Sequence, residues 1–194
     1  MPLTITRRAL TPTVSNGSYV YGSPGAVVSL AGVVNGDSVA PIATLGAQGG
    51  IAMGANGAGY GFADRVGAGS WNFTLTGLGG SAASNYTLDL SGTVSAQLSI
   101  AKKPLDYFVG NGSQTYGSTH TMPTAFIGGV LAGDDVTPVV GLTSGGTPVA
   151  VNDRLAAGSY VASVTSLDGA SASNYSVGTI NNHDGVYRVD PKLL

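Results

Sequence analysis

The chain has no cysteine. That excludes disulfides, cysteine-based zinc sites and thiol catalysis. Glutamate is missing too, so all ten acidic residues are aspartate, and lysine occurs only at Lys102, Lys103 and Lys192. Without these strong helix formers for exposed positions, long surface helices are not expected. Charge of either sign is scarce: 9% of residues, against roughly 25% in an average globular domain. The net charge is −2, and the basic clusters are only Arg7-Arg8 and Lys102-Lys103. No cationic stripe is present to displace counterions from phosphates, so nucleic acid is not an expected partner. No apolar run reaches the roughly 18 residues of a membrane helix, so no membrane insertion is expected.

What is present is glycine, 31 of 194 residues, and 43% hydrophobic residues. That apolar content argues against disorder. Short runs alternate large apolar and polar residues, as half-buried strands do. Trp71-Asn72-Phe73-Thr74-Leu75, Tyr160 to Val164, Tyr86 to Leu90, Tyr175 to Val177, Leu98 to Ile100 and Tyr187 to Val189 all read this way, as does Leu3-Thr4-Ile5. Glycine-rich turns separate them. Asn16-Gly17 and Asn111-Gly112 suit turns that need positive φ.

The chain also reads twice. Asn16-Gly17-Ser18 with Tyr21-Gly22 returns 95 residues later as Asn111-Gly112-Ser113 with Tyr116-Gly117. Gly36-Asp37 returns as Gly133-Asp134, 97 residues on, and Asp64-Arg65 as Asp153-Arg154, 89 residues on. Gly69-Ser70-Trp71 returns as Gly158-Ser159-Tyr160, and Ser84-Asn85-Tyr86 as Ser173-Asn174-Tyr175. The expected class is all-β with little or no helix, built as two tandem β-sandwich domains over residues 1–102 and 103–190. Residues 191–194 read as the start of a further seam, so the chain is expected to be a piece of a longer array. The changing offset places a longer connection in the first copy, between Leu45 and Asp64.

The order of these signals resembles the MBG repeat, a mostly-β, immunoglobulin-like module of filamentous-haemagglutinin-type bacterial adhesins. The residues that carry the resemblance are Leu10, Val14, Asn16-Gly17-Ser18, Tyr21-Gly22, Gly36-Asp37, Gly69-Ser70-Trp71 and Asn85-Tyr86 in the first copy. In the second they are Leu105, Val109, Asn111-Gly112-Ser113, Tyr116-Gly117, Gly133-Asp134, Ala157-Gly158-Ser159-Tyr160 and Asn174-Tyr175. The resemblance implies an immunoglobulin-like sandwich in a secreted, cell-surface protein of a Gram-negative bacterium, with no catalytic residues. It implies stalk repeats that extend a binding region from the cell, with neighbouring repeats of the same polypeptide as partners.

The residues themselves give enzyme chemistry little support. His120 and His183 have no ligand-spaced companions, and no Gly-x-Ser-x-Gly elbow or P-loop occurs. No cofactor and no metal are expected. Asp37, Asp134 and Asp135 lack the spacing of a calcium loop and read as turn residues. The recurring Tyr21, Tyr116, Tyr86 and Tyr175 are expected in core or corner packing, their hydroxyls on backbone partners. Trp71 is expected as a buried strand residue. Asn16, Asn72, Asn85, Asn111 and Asn174 lie in Asn-x-Ser/Thr acceptor patterns. The feature private to one copy is the 46–63 segment, with Ile51, Met53, Tyr60 and Phe62 among glycines. The alternative function is therefore a ligand-binding adhesin module. It would recognise a glycan or host protein through Tyr60, Phe62, Asp64 and Arg65. A hairpin packed on its own sandwich is the plainer reading of the same segment.

Overall fold

The structure, a computed structural model, describes residues 2–23, 25–46, 50–56, 59–62 and 65–193. The chain divides into two compact units, Met1–Lys102 and Lys103–Leu194. It is all-β. The first unit contains β1 (Arg8–Val14), β2 (Gly17–Val20), β3 (Val28–Ala31), β4 (Ala40–Leu45), β5 (Gly50–Asn56), β6 (Gly59–Phe62), β7 (Gly69–Gly79), β8 (Tyr86–Leu88) and β9 (Ser95–Ala101). The second contains β10 (Lys103–Val109), β11 (Gly112–Thr115), β12 (Ala125–Gly128), β13 (Thr137–Ser144), β14 (Thr147–Val149), β15 (Gly158–Asp168), β16 (Tyr175–Val177) and β17 (Gly185–Asp190). Helix among the described residues is confined to two single 3-10 turns, Ala83–Asn85 and Ala172–Asn174. None of it is long and apolar enough to cross a membrane.

In the second unit β12-β10-β16 form one sheet and β11-β17-β15-β13-β14 the other. Alternation along β10 sends Leu105, Tyr107 and Val109 inward and Asp106 and Phe108 outward. Tyr107 and Val109 from the first sheet share one core with Leu142, Ala162, Val164, Tyr187 and Val189 from the second. A core between two sheets is a β-sandwich. Complete burial of a side chain such as Leu142 contributes about 1.5–3 kcal/mol.

The first unit repeats both strand orders, as β3-β1-β8 and β2-β9-β7-β4-β5. The duplication extends to irregularities. The ladder slips between Ile42 and Ala43 in β4, and between Val139 and Val140 in β13. Each slip is a β-bulge closed by a threonine: the Thr76 hydroxyl donates to the Ile42 carbonyl, and Thr165 to that of Val139, both at 3.3 Å.

The units differ at the 46–63 segment. β5 pairs antiparallel with β4 and β6, and β6 pairs with β3 through Val28 and Tyr60. The extra residues thus lengthen β5 relative to β14 and add β6, and the resulting hairpin bridges the two sheets, so the strands of the first unit run as one nine-stranded ribbon. In the second unit β12 and β14 are sheet edges.

Several expectations need correction. Leu3-Thr4-Ile5 is not a strand; it has no pairing partner among the described residues, and Leu3 and Ile5 are exposed. Gly17 and Gly112 do not have positive φ. Their requirement is space: a Cβ on Gly17 would strike the Tyr19 ring, and one on Gly112 would lie 2.9 Å from Cδ2 of Tyr187. Tyr116 is 41% exposed rather than packed inside. Trp71 is half-buried, as is Tyr160.

Candidate functional site

Polar residues common to both copies bond to side chains and backbone of their own unit. The 3-10 turn Ala83–Asn85 delivers Tyr86 to the core, where its hydroxyl donates to the Asp37 carboxylate and accepts from Val34 N at 3.0 Å. The second copy repeats this latch: the Tyr175 hydroxyl donates to Asp134 and accepts from Leu131 N at 3.1 Å. The bond to Asp37, followed by burial, pushes the Tyr86 hydroxyl above its ordinary pKa. Asp135 accepts from Ala170 N at 3.2 Å, and its own N–H donates to the Ser171 hydroxyl at 3.3 Å. Asp37, Asp134 and Asp135 therefore serve turns. No group of three acidic or histidine side chains suited to a metal occurs among the described residues.

Trp71 and Tyr160 are equivalent in a further sense. Trp71 Nε1 donates to the Gly67 carbonyl at 2.9 Å, and the Tyr160 hydroxyl to that of Ala156 at 2.8 Å, each four residues back. Indole and phenol make the same tie, which explains the exchange. Asn16 Oδ1 accepts from Gln97 N, and Asn111 Oδ1 from Val186 N, both at 2.8 Å. The Asn-Gly-Ser motif holds the start of a parallel pair, β2 with β9 and β11 with β17.

Of the residues predicted to bind a ligand, Tyr60 and Phe62 lie in β6, opposite Ala55 and Met53. Their side chains, and all of Asp64, fall outside the described residues. Arg65 is exposed. The second copy shows what the Asp-Arg turn does there. The Asp153 carbonyl accepts from Gly117 N at 2.7 Å. Its carboxylate meets His120 Nδ1 at 3.0 Å and accepts from His120 N at 3.2 Å. These His120 contacts hold the Asp153 carboxyl below the usual carboxylate range. His120 thus meets a single carboxylate 33 residues away, beyond the reach of local spacing.

The second unit has private features that the sequence did not flag. Gln114 is a buried polar side chain: the Tyr187 hydroxyl donates to its Oε1 at 2.9 Å, and its Nε2 donates to the Asn152 carbonyl at 3.3 Å. Tyr107 donates to Asp184 at 2.6 Å; burial first, then this bond, pushes its hydroxyl up to about 12. On the outer face of the three-stranded sheet, Phe108 and Phe126 are directly opposed across β10 and β12. They are 53% and 65% exposed. The His183 ring lies 6.1 Å from that of Phe108, tilted by 50°. Together with Asp106, Gly128 and Asn181 they line an open groove of about 370 Å³. The groove can offer aromatic faces and hydrogen-bonding groups, but no nucleophile held by a base.

Comparisons with protein-family models, curated proteins and solved structures give no match.

Proposed function

We propose that the chain is a pair of structural, non-enzymatic repeats from the stalk of a secreted bacterial surface adhesin, with an immunoglobulin-like arrangement of the MBG type. The observation that carries this reading is the fate of the shared polar residues. The tyrosine latches, the indole and phenol ties, the asparagine caps and the bulge threonines all spend their hydrogen bonds on the fold. A duplicated module that keeps only what shapes it is suited to serial repetition. A neutral, glycine-rich polar surface supports solubility with little charge.

The alternative, recognition of a glycan or host protein through Tyr60, Phe62, Asp64 and Arg65, draws on the presence of residues 46–63 in one copy alone. The pairing of β5 with β4 and of β6 with β3 gives that segment a sheet-bridging role without a ligand, so the stalk is preferred. The test is made in the parent polypeptide. Residues 1–190 are deleted in one strain and duplicated in another, and the projection of the surface fibre is measured by electron microscopy. The stalk reading expects the projection to shorten and lengthen accordingly. Equal projection in the three strains, or absence of the protein from the cell surface, overturns it.

A further inference from the structure

We infer that the outer face of β12-β10-β16 in the second unit is a saccharide-binding groove, with Phe108 and Phe126 as its platform. The first unit is an internal control for what this face needs in order to fold. By the strand registers, Phe108 opposite Phe126 corresponds to Thr13 opposite Ser29. Both of those residues are exposed and polar. The alignment of copies also places Thr11 at Asp106, Gly92 at Asn181 and Val94 at His183. The same sandwich forms without any of the five side chains. The strand order therefore does not require the two phenyl rings, and together they make an exposed apolar patch of the kind that marks a binding surface.

The lining selects the ligand class. Aromatic faces bind apolar faces, and the exposed carboxylate, amide and imidazole around them bind polar edges. A pyranose ring has both: C–H groups on its faces and hydroxyls on its rim. No Lys or Arg is among the residues lining the groove, and Asp106 repels anions, which disfavours nucleotides and phosphorylated ligands. The volume of about 370 Å³ sits near the lower end of the about 300–1,000 Å³ of ligand pockets, a size for one or two sugar rings. This goes beyond the stalk reading, and neither depends on the other.

The test uses the whole chain, ¹⁵N-labelled, titrated separately with methyl β-galactopyranoside, methyl α-mannopyranoside and N-acetylglucosamine. At least one of the three is expected to shift the backbone amides of Phe108, Phe126 and His183. The double variant Phe108→Thr, Phe126→Ser carries the first unit's residues, and should weaken that binding about tenfold or more with its circular dichroism unchanged. Asn181→Gly, again the first unit's residue, is a second variant; Asn181 has φ +59°, which glycine accepts. It should weaken binding without touching the rings. No response to any of the three sugars overturns the inference, as does binding that both variants leave intact. A response only to an extended peptide, read at the β12 edge amides of Ala125 and Ile127, also overturns it.

Discussion

Replacing Tyr86 by phenylalanine removes one oxygen from the first unit and leaves the ring in place. The Tyr86 side chain is almost wholly buried, and its hydroxyl is the donor to Asp37 and the acceptor for Val34 N. A hydrogen bond to a charged group contributes about 1.5–3 kcal/mol. Val34 is exposed, so water can replace the bond to its amide and that loss adds little. The expected cost is therefore about 1.5–3 kcal/mol, or a fall in melting temperature of roughly 6–24 °C for a unit of this size. The chain supplies its own probe. Its single tryptophan, Trp71, lies in the first unit, so tryptophan fluorescence in urea follows that unit, while far-UV circular dichroism follows both. Tyr86→Phe should move the fluorescence midpoint; Tyr175→Phe should act on the other unit's share of the dichroism change. A double-mutant cycle with Asp37→Ala isolates the pair. A loss below about 0.5 kcal/mol, or a coupling energy near zero, would refute the latch as a source of stability.

Two further outcomes test the physical reading of single groups. Gly169 has φ +106°, and a Cβ there would lie 2.6 Å from the Asp135 carbonyl oxygen; Gly133 has φ +88° and nothing within 4 Å. Alanine at either position incurs about 1–2 kcal/mol for the left-handed conformation, and Gly169→Ala must cost clearly more; equal urea midpoints would contradict the clash. Tyr107 is held neutral by burial and by Asp184, with its pKa at about 12. A raised acid stabilises the fold below its unfolded value of about 10, and that contribution is lost as pH rises towards about 12. Urea midpoints of the second unit should fall across this window, and less steeply in Tyr107→Phe.

The all-β class was legible because alternation is a local property, and every run that found a partner became a strand. Leu3-Thr4-Ile5 alternates equally well and is no strand, since pairing is not encoded in three residues. Duplication pointed correctly to Asn16, Tyr86 and Trp71 as shaping residues but not to how they act. Asp37 and Tyr86 are 49 positions apart, and the sequence offered Asp37 only as a turn residue. Gly17 was recognised as necessary for the wrong reason, because a ring that fills the space above a glycine is invisible in the string. The groove was missed because Phe108, Phe126 and His183 come from three separate segments, and alternation does not say which apolar side chains stay uncovered. The signal that could have found it was there: at each of these positions the first copy carries a different residue type.

The β5–β6 hairpin has a consequence for how such modules diversify. The longer β5 and the added β6 between β4 and β7 left the bulge, the latch and both strand orders as they are in the shorter copy. This connection is therefore the port at which the scaffold accepts foreign sequence. A separate opening lies in the second unit at the Gly145-Gly146 turn between β13 and β14, where both glycines have positive φ and open space around them. A peptide epitope grafted there should be displayed without cost to the sandwich that carries it.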